Sequence, residues 1–473
     1  MQAFIDVMWT IDGWAWDIFC PAILLITGLY LTIGHKGRFT FRLGTLWKNS
    51  VGTAFKRKRS DGGKGTISAF AAAMTNLGNT VGTGNISGVA AAIASGGPGA
   101  VFWMWVLGIV GMATKSSEIM LGIRYRIKSK ETGEYMANRD YIMGRTIGWK
   151  VPAAIFAFLA VITQPLNAIS QTNSIVESLQ EAFGMNRYVV VAIVVILLGI
   201  TICGGLKRIS KVAEAVVPYM CSLYIILGVV IIALNWKVVP GVFASIFKYA
   251  FTPMAGVGGM VGYTVQSAFR FGCARGCYSN DSGIGAAMCT YATSKTDHPG
   301  RQATWGWGEN FIDTIIVCSI TAVTILVSKT WVSGTDLTGG ALATAAFRDA
   351  LGFFGMAFIA LANTFFAWTT LNSTFYQNTI SLNYLLGEKK NNKIIFYIWV
   401  AYYTLPQFLG GFDADLAWLL ADFSGVFNII CTCTILFVLR KEVFRLGKDF
   451  FERFLPAKER GEDVEPVEYG ELA

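Results

Sequence analysis

The run Ala215–Leu234 contains no charged side chain, and Ala22–Ile33, Ala153–Ile162, Tyr188–Cys203 and Phe427–Leu439 contain none either; Phe311–Val327 has one. Runs of this kind leave few folding options. A helix needs about 20 apolar residues to cross roughly 30 Å of hydrocarbon. Inside lipid each backbone N–H and C=O must be satisfied within the protein, which admits only helices and closed barrels. A barrel requires short strands of alternating polarity, and these uniform runs exclude it. The composition agrees, with 53% hydrophobic residues, 15% charged residues and a mean hydropathy of +0.49. Soluble domains carry about 25% charged residues.

The chain therefore reads as an all-α polytopic membrane protein of about eleven helices, at roughly 15–34, 66–95, 98–126, 148–183, 187–205, 209–236, 254–293, 303–329, 350–386, 393–411 and 414–440. The net charge of +9 could suggest nucleic acid, but the basic residues lie between apolar blocks rather than on one soluble face. With the N-terminus outside, alternate threading puts 31 of the 39 basic residues on the inner side. Cytoplasmic loops carry such an excess, so the N-terminus is expected outside and the C-terminus in the cytoplasm of a bacterial-type plasma membrane. No basic residues precede the first apolar block, so it reads as a retained helix and not a cleaved signal. Residues Arg38–Arg59 read as an interfacial amphipathic stretch, and Gly461–Ala473 as a disordered acidic tail.

Of the nine cysteines, six lie within apolar segments and read as free thiols. Cys273 and Cys277 are one helical turn apart, but neither of the two histidines, His35 and His298, is near them, which favours packing over a metal site.

Two of the helices are interrupted. The first contains Gly78-Asn79-Thr80-Val81-Gly82-Thr83-Gly84-Asn85-Ile86-Ser87-Gly88, and the second Arg275-Gly276-Cys277-Tyr278-Ser279-Asn280-Asp281-Ser282-Gly283-Ile284-Gly285. Close helix packing would explain the glycines but not the clustered Asn and Thr residues. A phosphate loop would need a G-K-[ST] sequence after a strand, which is missing. A helix unwound at mid-membrane accounts for both, since freed carbonyls bind a cation and exposed N–H groups bind a carboxylate. Each break lies in the first helix of a five-helix set. The sequence thus predicts an extra N-terminal helix with an amphipathic segment over 1–65, inverted repeats over 66–236 and 237–440, and a cytoplasmic tail over 441–473.

With these motifs identified, the chain resembles the alanine or glycine:cation symporters, also called sodium:alanine symporters. The residues that carry the resemblance are Gly82-Thr83-Gly84-Asn85-Ile86, Gly96–Trp105, Gly111–Lys115, Gln171-x-Asn173-Ser174, Arg275-Gly276 with Ser279-Asn280, His298-Pro299 with Arg301-Gln302, and Phe311–Thr314. The resemblance implies the fold of the bacterial leucine transporter. It also implies a sodium site from the carbonyls of Gly78 and Val81 and the hydroxyls of Thr369 and Thr370, with Thr80 and Asn85 beside them. Backbone N–H groups at Thr83, Gly84 and Asn85 would hold a substrate carboxylate, and carbonyls of Gly276, Cys277, Tyr278 and Ser279 its ammonium. Gln171 would either line the pocket or bridge helices. The family's G-W-x-Y-Y-G-E pattern is absent; Ser373–Thr379 stands in its place, with Thr374 where a tryptophan is usual. With that change the resemblance does not by itself assign alanine or glycine as the substrate, and the choice between them and a larger or more polar amino acid stays open.

Lys115, Glu118, Arg270, Arg275, Asp281, Glu309 and Asp313 fall within apolar surroundings and are too costly to face lipid. Lys115 with Glu118, and Arg275 with Asp281, are expected as structural ion pairs or gate elements. The expected function is sodium-coupled symport of an amino acid by alternating access, with Na⁺ as coupling ion, no organic cofactor and no nucleic-acid partner; proton coupling is the alternative. An enzyme would need a nucleophile–base or metal constellation, and no H-E-x-x-H or G-x-S-x-G motif is present. A channel or a sensor on the same fold would show single-channel current, or binding without flux.

Overall fold

The computed structural model describes residues 2–53, 63–130, 132–254, 263–332, 336–387, 393–411, 414–462 and 464. Within these, seven helices are long and apolar enough to cross a membrane: Val7–Gly34, Gly99–Arg124, Lys150–Phe183, Gly205–Leu234, Pro299–Val327, Gly339–Leu386 and Leu416–Val438. Ser87–Gly96 and Arg187–Ile202 are shorter apolar helices. Ile193, Ile196, Leu197, Ile200, Leu223, Ile226 and Val229 form an exposed apolar girdle, which suits a hydrocarbon surround.

We label Val7–Gly34 α1, Arg38–Phe41 α2, Leu43–Asn49 α3, Ala69–Thr80 α4, Ser87–Gly96 α5 and Gly99–Arg124 α6. Lys150–Phe183 is α7, Arg187–Ile202 α8, Gly205–Leu234 α9, Val239–Tyr249 α10, Val265–Asn280 α11 and Ala286–Ala292 α12. Pro299–Val327 is α13, and Gly339–Leu386 α14, Lys393–Thr404 α15, Ala414–Val438 α16 and Arg440–Asp449 α17 complete the set. A two-stranded antiparallel ribbon, β1 Ile127–Lys128 with β2 Tyr135–Met136, lies between α6 and α7.

Both interruptions expected from the sequence are present. The first helix stops at Thr80, passes through a short 3₁₀ turn at Thr83–Asn85 and resumes at Ser87. The second stops at Asn280 and resumes at Ala286. This second break is narrower than expected: Gly276, Cys277, Tyr278 and Ser279 remain helical, and the unwound part is Asp281–Gly285. Asp281, Gly283 and Gly285 all have positive φ, the conformation in which a side chain is least tolerated and glycine most favoured. Residues 255–262, within the expected helix 254–293, lie outside the described residues, as do Phe55 and Arg59 of the amphipathic stretch and Lys389 and Lys390 of the inner segments.

Helix α14 is kinked at Leu351 and Gly352, beyond which it runs antiparallel to α7. There Asn363 Nδ2 donates to the Ser174 carbonyl at 3.0 Å and to Ser178 Oγ at 2.7 Å. Pro165 lies inside the continuous helix α7, and α13 widens to a π-helix over Phe311–Cys318. Such bulges are frequent at functional sites. The segment read as a tail is ordered in its first part: Arg440–Asp449, the π-helical turn Phe450–Phe454 and Leu455–Glu459 follow one another and bury Val443, Leu446, Phe450 and Phe454. Most of Gly461–Ala473 lies outside the described residues.

Candidate functional site

The two breaks face each other. Gly84 packs so closely on α11 that a Cβ there would sit 2.8 Å from Ser279 Cα. Only glycine permits that approach. Within the first break, the Gly82 N–H donates to Asn85 Oδ1 at 3.0 Å, and Thr83 Oγ1 donates to Gln171 Oε1 at 2.9 Å. Gln171 Nε2 donates to Tyr278 Oη at 2.9 Å. Gln171 therefore both lines the site and bridges α7, the first break and α11, so its two readings are compatible.

Lys115 ties the breaks together. Fully buried on α6, its Nζ lies 2.9 Å from Glu309 Oε2 and donates to Thr80 Oγ1 and to the Asn280 carbonyl, each at 2.9 Å. Thr80 and Asn280 are the last helical residues before their respective breaks. An ammonium at a helix C-terminus meets the negative end of the helix dipole. Glu309 also accepts from Asn76 Nδ2 at 2.7 Å and from the Tyr291 hydroxyl.

These contacts correct two expected pairings. Lys115 pairs with Glu309, whereas Glu118 accepts the Gly283 N–H at 2.6 Å inside the second break. Arg275 turns away from Asp281 and makes a two-pronged pair with Asp422 of α16, at 2.7 and 2.8 Å, with its guanidinium over the Trp418 ring. Asp281 instead accepts from Asn79 Nδ2 at 2.5 Å. Lys115 and Glu118 are i,i+3 neighbours that share a helix face, whereas Asp281 is six residues from Arg275 and lies beyond the end of α11.

Another buried carboxylate, Asp313, sits on the π-helical turn of α13. It accepts from Asn85 Nδ2 at 2.5 Å, Ser279 Oγ at 2.8 Å and Thr314 Oγ1 at 2.7 Å. Asp313 thus holds the first break to the helix that leads into the second. Because their polar side-chain atoms are turned to Asp313, Asn85 and Ser279 do not line the central cavity.

That cavity lies between α4, α7, α11, α12 and α14. Of the expected substrate residues, Gly84, Gln171, Tyr278 and Thr374 line it. Gly276 packs against Met104, and Cys277 lies in an apolar cluster with Leu24 and Cys433. Of the expected cation ligands, Thr370 Oγ1 lies 3.3 Å from the Gly78 carbonyl and 3.1 Å from that of Asn79. A Cβ on Gly78 would be 3.7 Å from Thr369 Oγ1, so these residues converge. Val81 is buried at the break, while Thr80 carries the Lys115 ammonium and drops out of a set that should receive a second cation. Among the described residues, no group of three or more His, Cys, Asp or Glu is arranged to hold a metal ion.

Asn79 of the first break lines the cavity too, as do Gln164, Asn167 and Gln377, which were not named as site residues from the sequence. A signal for two of them was present. Gln164 and Gln171 are two helical turns apart on α7, and Thr370, Thr374 and Gln377 follow i, i+4, i+7 spacing on α14, a polar stripe on an otherwise apolar helix.

The sequence profile of the sodium:alanine symporter family matches residues 1–464. The chain belongs to that family. It is 35% identical over 453 residues to an uncharacterised transporter of Haemophilus influenzae, covering 95% of this chain and 96% of the relative. It is also 35% identical to the sodium/alanine symporter AgcS of Methanococcus maripaludis, covering 89% and 91%. Among solved structures, a manganese transporter mutant from Eremococcus coleocola superposes with a TM-score of 0.53 at 14% identity, covering 83% of this chain and 82% of that one. At that identity the likeness shows a shared fold only. The membership also agrees with the multi-pass character of the chain, whose spans surround the polar cavity between its two breaks.

Proposed function

We propose that this family member is a sodium-coupled secondary active symporter of amino acids working by alternating access. The observation that carries the reading is the polar cavity between two interrupted helices, cross-linked at their broken ends by one buried lysine. Unpaired backbone is costly in lipid and persists where it lines a site. Sodium is held by the carbonyls of Gly78 and Val81 and the hydroxyls of Thr369 and Thr370, hard neutral oxygens suited to it. The substrate carboxylate lies against the N–H groups around Gly84, and its ammonium is taken by Asp281 and Tyr278, the groups of the second helix that line the cavity. Eleven spans, an extracellular N-terminus and inverted repeats over 66–236 and 237–440 complete the proposal, with movement of one repeat against the other opening the site to one face of the bilayer and then the other.

Sodium entry drives the cycle. One charge crossing 100 mV supplies about 2.3 kcal/mol, enough for roughly fifty-fold accumulation per coupled ion. Uptake of labelled amino acids into proteoliposomes should require an inward sodium gradient. Uptake that follows an imposed pH gradient and ignores sodium would replace sodium with protons. Asp281 and Asp313 favour that second reading, since the half-buried carboxylate of Asp281 in the second break and the buried one of Asp313 against the first have neutral hydrogen-bond partners.

A further inference from the structure

A second recess, remote from the polar cavity, lies among α7, α8 and α14 and presents only apolar surface. Ile175, Val190 and Val194 are buried at its base, whereas Ile193, Leu197 and Phe365 at its mouth are 44%, 49% and 47% exposed. The hydroxyl of Thr364, in the α14 wall, is turned back to the Ala360 carbonyl of its own helix at 2.8 Å. Nothing in this lining could recognise a polar ligand.

The mouth identifies what can enter. Ile193 and Leu197 also belong to the exposed apolar girdle, so the recess opens onto the same hydrocarbon surround. Helix α8 packs against both α7 and α14, which leaves the gap among the three narrower than a helix of about 10 Å diameter. A helix of a second copy could cover the mouth but not reach Val194. A linear hydrocarbon chain could. Within lipid such a chain gains no transfer free energy by entering, because tails and apolar side chains are equally apolar. Contact is what favours entry: side-chain atoms bordering a gap lack on that side the dispersion attraction of a neighbour.

The recess also bears on the first break. Its α14 wall is Thr364, Phe365 and Trp368. At about 3.6 residues per turn, Thr370 faces away from that wall, and its hydroxyl meets the Gly78 and Asn79 carbonyls. A single helix thus separates the recess from the break.

We propose that this recess is a binding site for an acyl chain of a membrane lipid, seated against the α14 turn whose other face meets the first break. The site is independent of the cargo and of the coupling ion. The test is photolabelling of the full chain in vesicles of phosphatidylcholine that carries a diazirine halfway along one acyl chain, with labelled residues located by mass spectrometry. Val194 and Trp368 should take up label alongside Ile226, a girdle residue outside the recess. Leu197→Trp, which plugs the mouth, should lower label at Val194 and Trp368 at least about fivefold and change it at Ile226 by less than about two-fold. The constant Ile226 signal shows that the variant is folded and inserted, and Phe365→Trp plugs the mouth from the opposite wall. Label confined to Ile226 and the mouth residues would overturn the proposal, as would label at Val194 that neither variant lowers. Recess residues free of label, with Leu197→Cys forming a disulfide to a second copy, would make this face an interface between copies instead. None of these outcomes bears on symport, which the uptake measurement decides separately.

Discussion

At the scale of single residues, Lys115 is the most consequential side chain in the site. It and Glu309 are fully buried, and breaking such a pair by removing one partner typically costs about 3–5 kcal/mol because the other charge is stranded. Lys115→Met should therefore lower thermal stability sharply and abolish uptake, since both helix ends lose their common donor. Glu309→Gln in the same chain should recover part of the stability without restoring uptake; a double variant no more stable than Lys115→Met would show that the pair is not the reason. The sequence marked Lys115 as too costly to leave unpaired but pointed to Glu118 as its partner. Proximity in sequence cannot reveal that Glu309, 194 positions away, approaches from α13. Asn85 was legible as a site residue for a similar reason and with a similar limit. Its amide does belong to the first break, but the π-helical turn that brings Asp313 to it has no sequence signature.

At the scale of elements, both helix breaks were legible because glycines and amides are out of place in a membrane helix. The exact extent of the second was not. Arg275-Gly276 and Ser279 have the composition of an unwound segment, yet α11 continues to Asn280 because its glycine packs against α6 instead of freeing the chain. The true break is fixed by positive φ at Asp281, Gly283 and Gly285. Gly285 has φ +87°, and a Cβ there would lie 2.7 Å from Thr432 Oγ1. An L-residue in the left-handed region costs about 1–2 kcal/mol before the clash is added. Gly285→Ala should thus destabilise the protein by at least that much and slow uptake. Gly241→Ala, where a Cβ meets nothing within 4 Å, should change stability by less than about 0.5 kcal/mol. Equal melting temperatures for the two variants would contradict the account of the break.

At the scale of the whole molecule, the segment after the last span is built into the fold and does not trail from it. Its charged residues reach three distant parts of the chain: Glu452 pairs with Arg38, Glu459 with Lys48, and Glu442 with Arg124. Those contacts are less important than the buried face. Phe450→Ala should cost about 3–5 kcal/mol, whereas Lys48→Ala, at an exposed pair, should cost less than about 1 kcal/mol. A larger loss for Lys48→Ala would mean that charge, and not packing, seats the segment. The seating also has a defined pH dependence. His298 caps α13, its Nδ1 accepting the Gly300 N–H at 2.9 Å, while Nε2 lies 3.0 Å from Asp449 Oδ2. The imidazole is thus neutral with its proton on Nε2, and burial holds its pKa below the ordinary histidine value. Asp449 is held below the usual carboxylate range by the His298 hydrogen bond and by Arg453. The folded state therefore binds fewer protons than the unfolded chain once pH falls below about 6.5, and stability must drop in that direction. Asp449 adds its own loss only below about pH 4, where an unfolded aspartate begins to take up a proton. Between these limits the slope is shared by His298 and His35, whose imidazole pKa burial pushes down to about 3. Asparagine also caps helices and does not titrate. His298→Asn should accordingly lessen the dependence of melting temperature, and of proteolysis within 440–459, between about pH 7.5 and 5, leaving the share that His35 carries; an unchanged slope would show that His298 does not contribute.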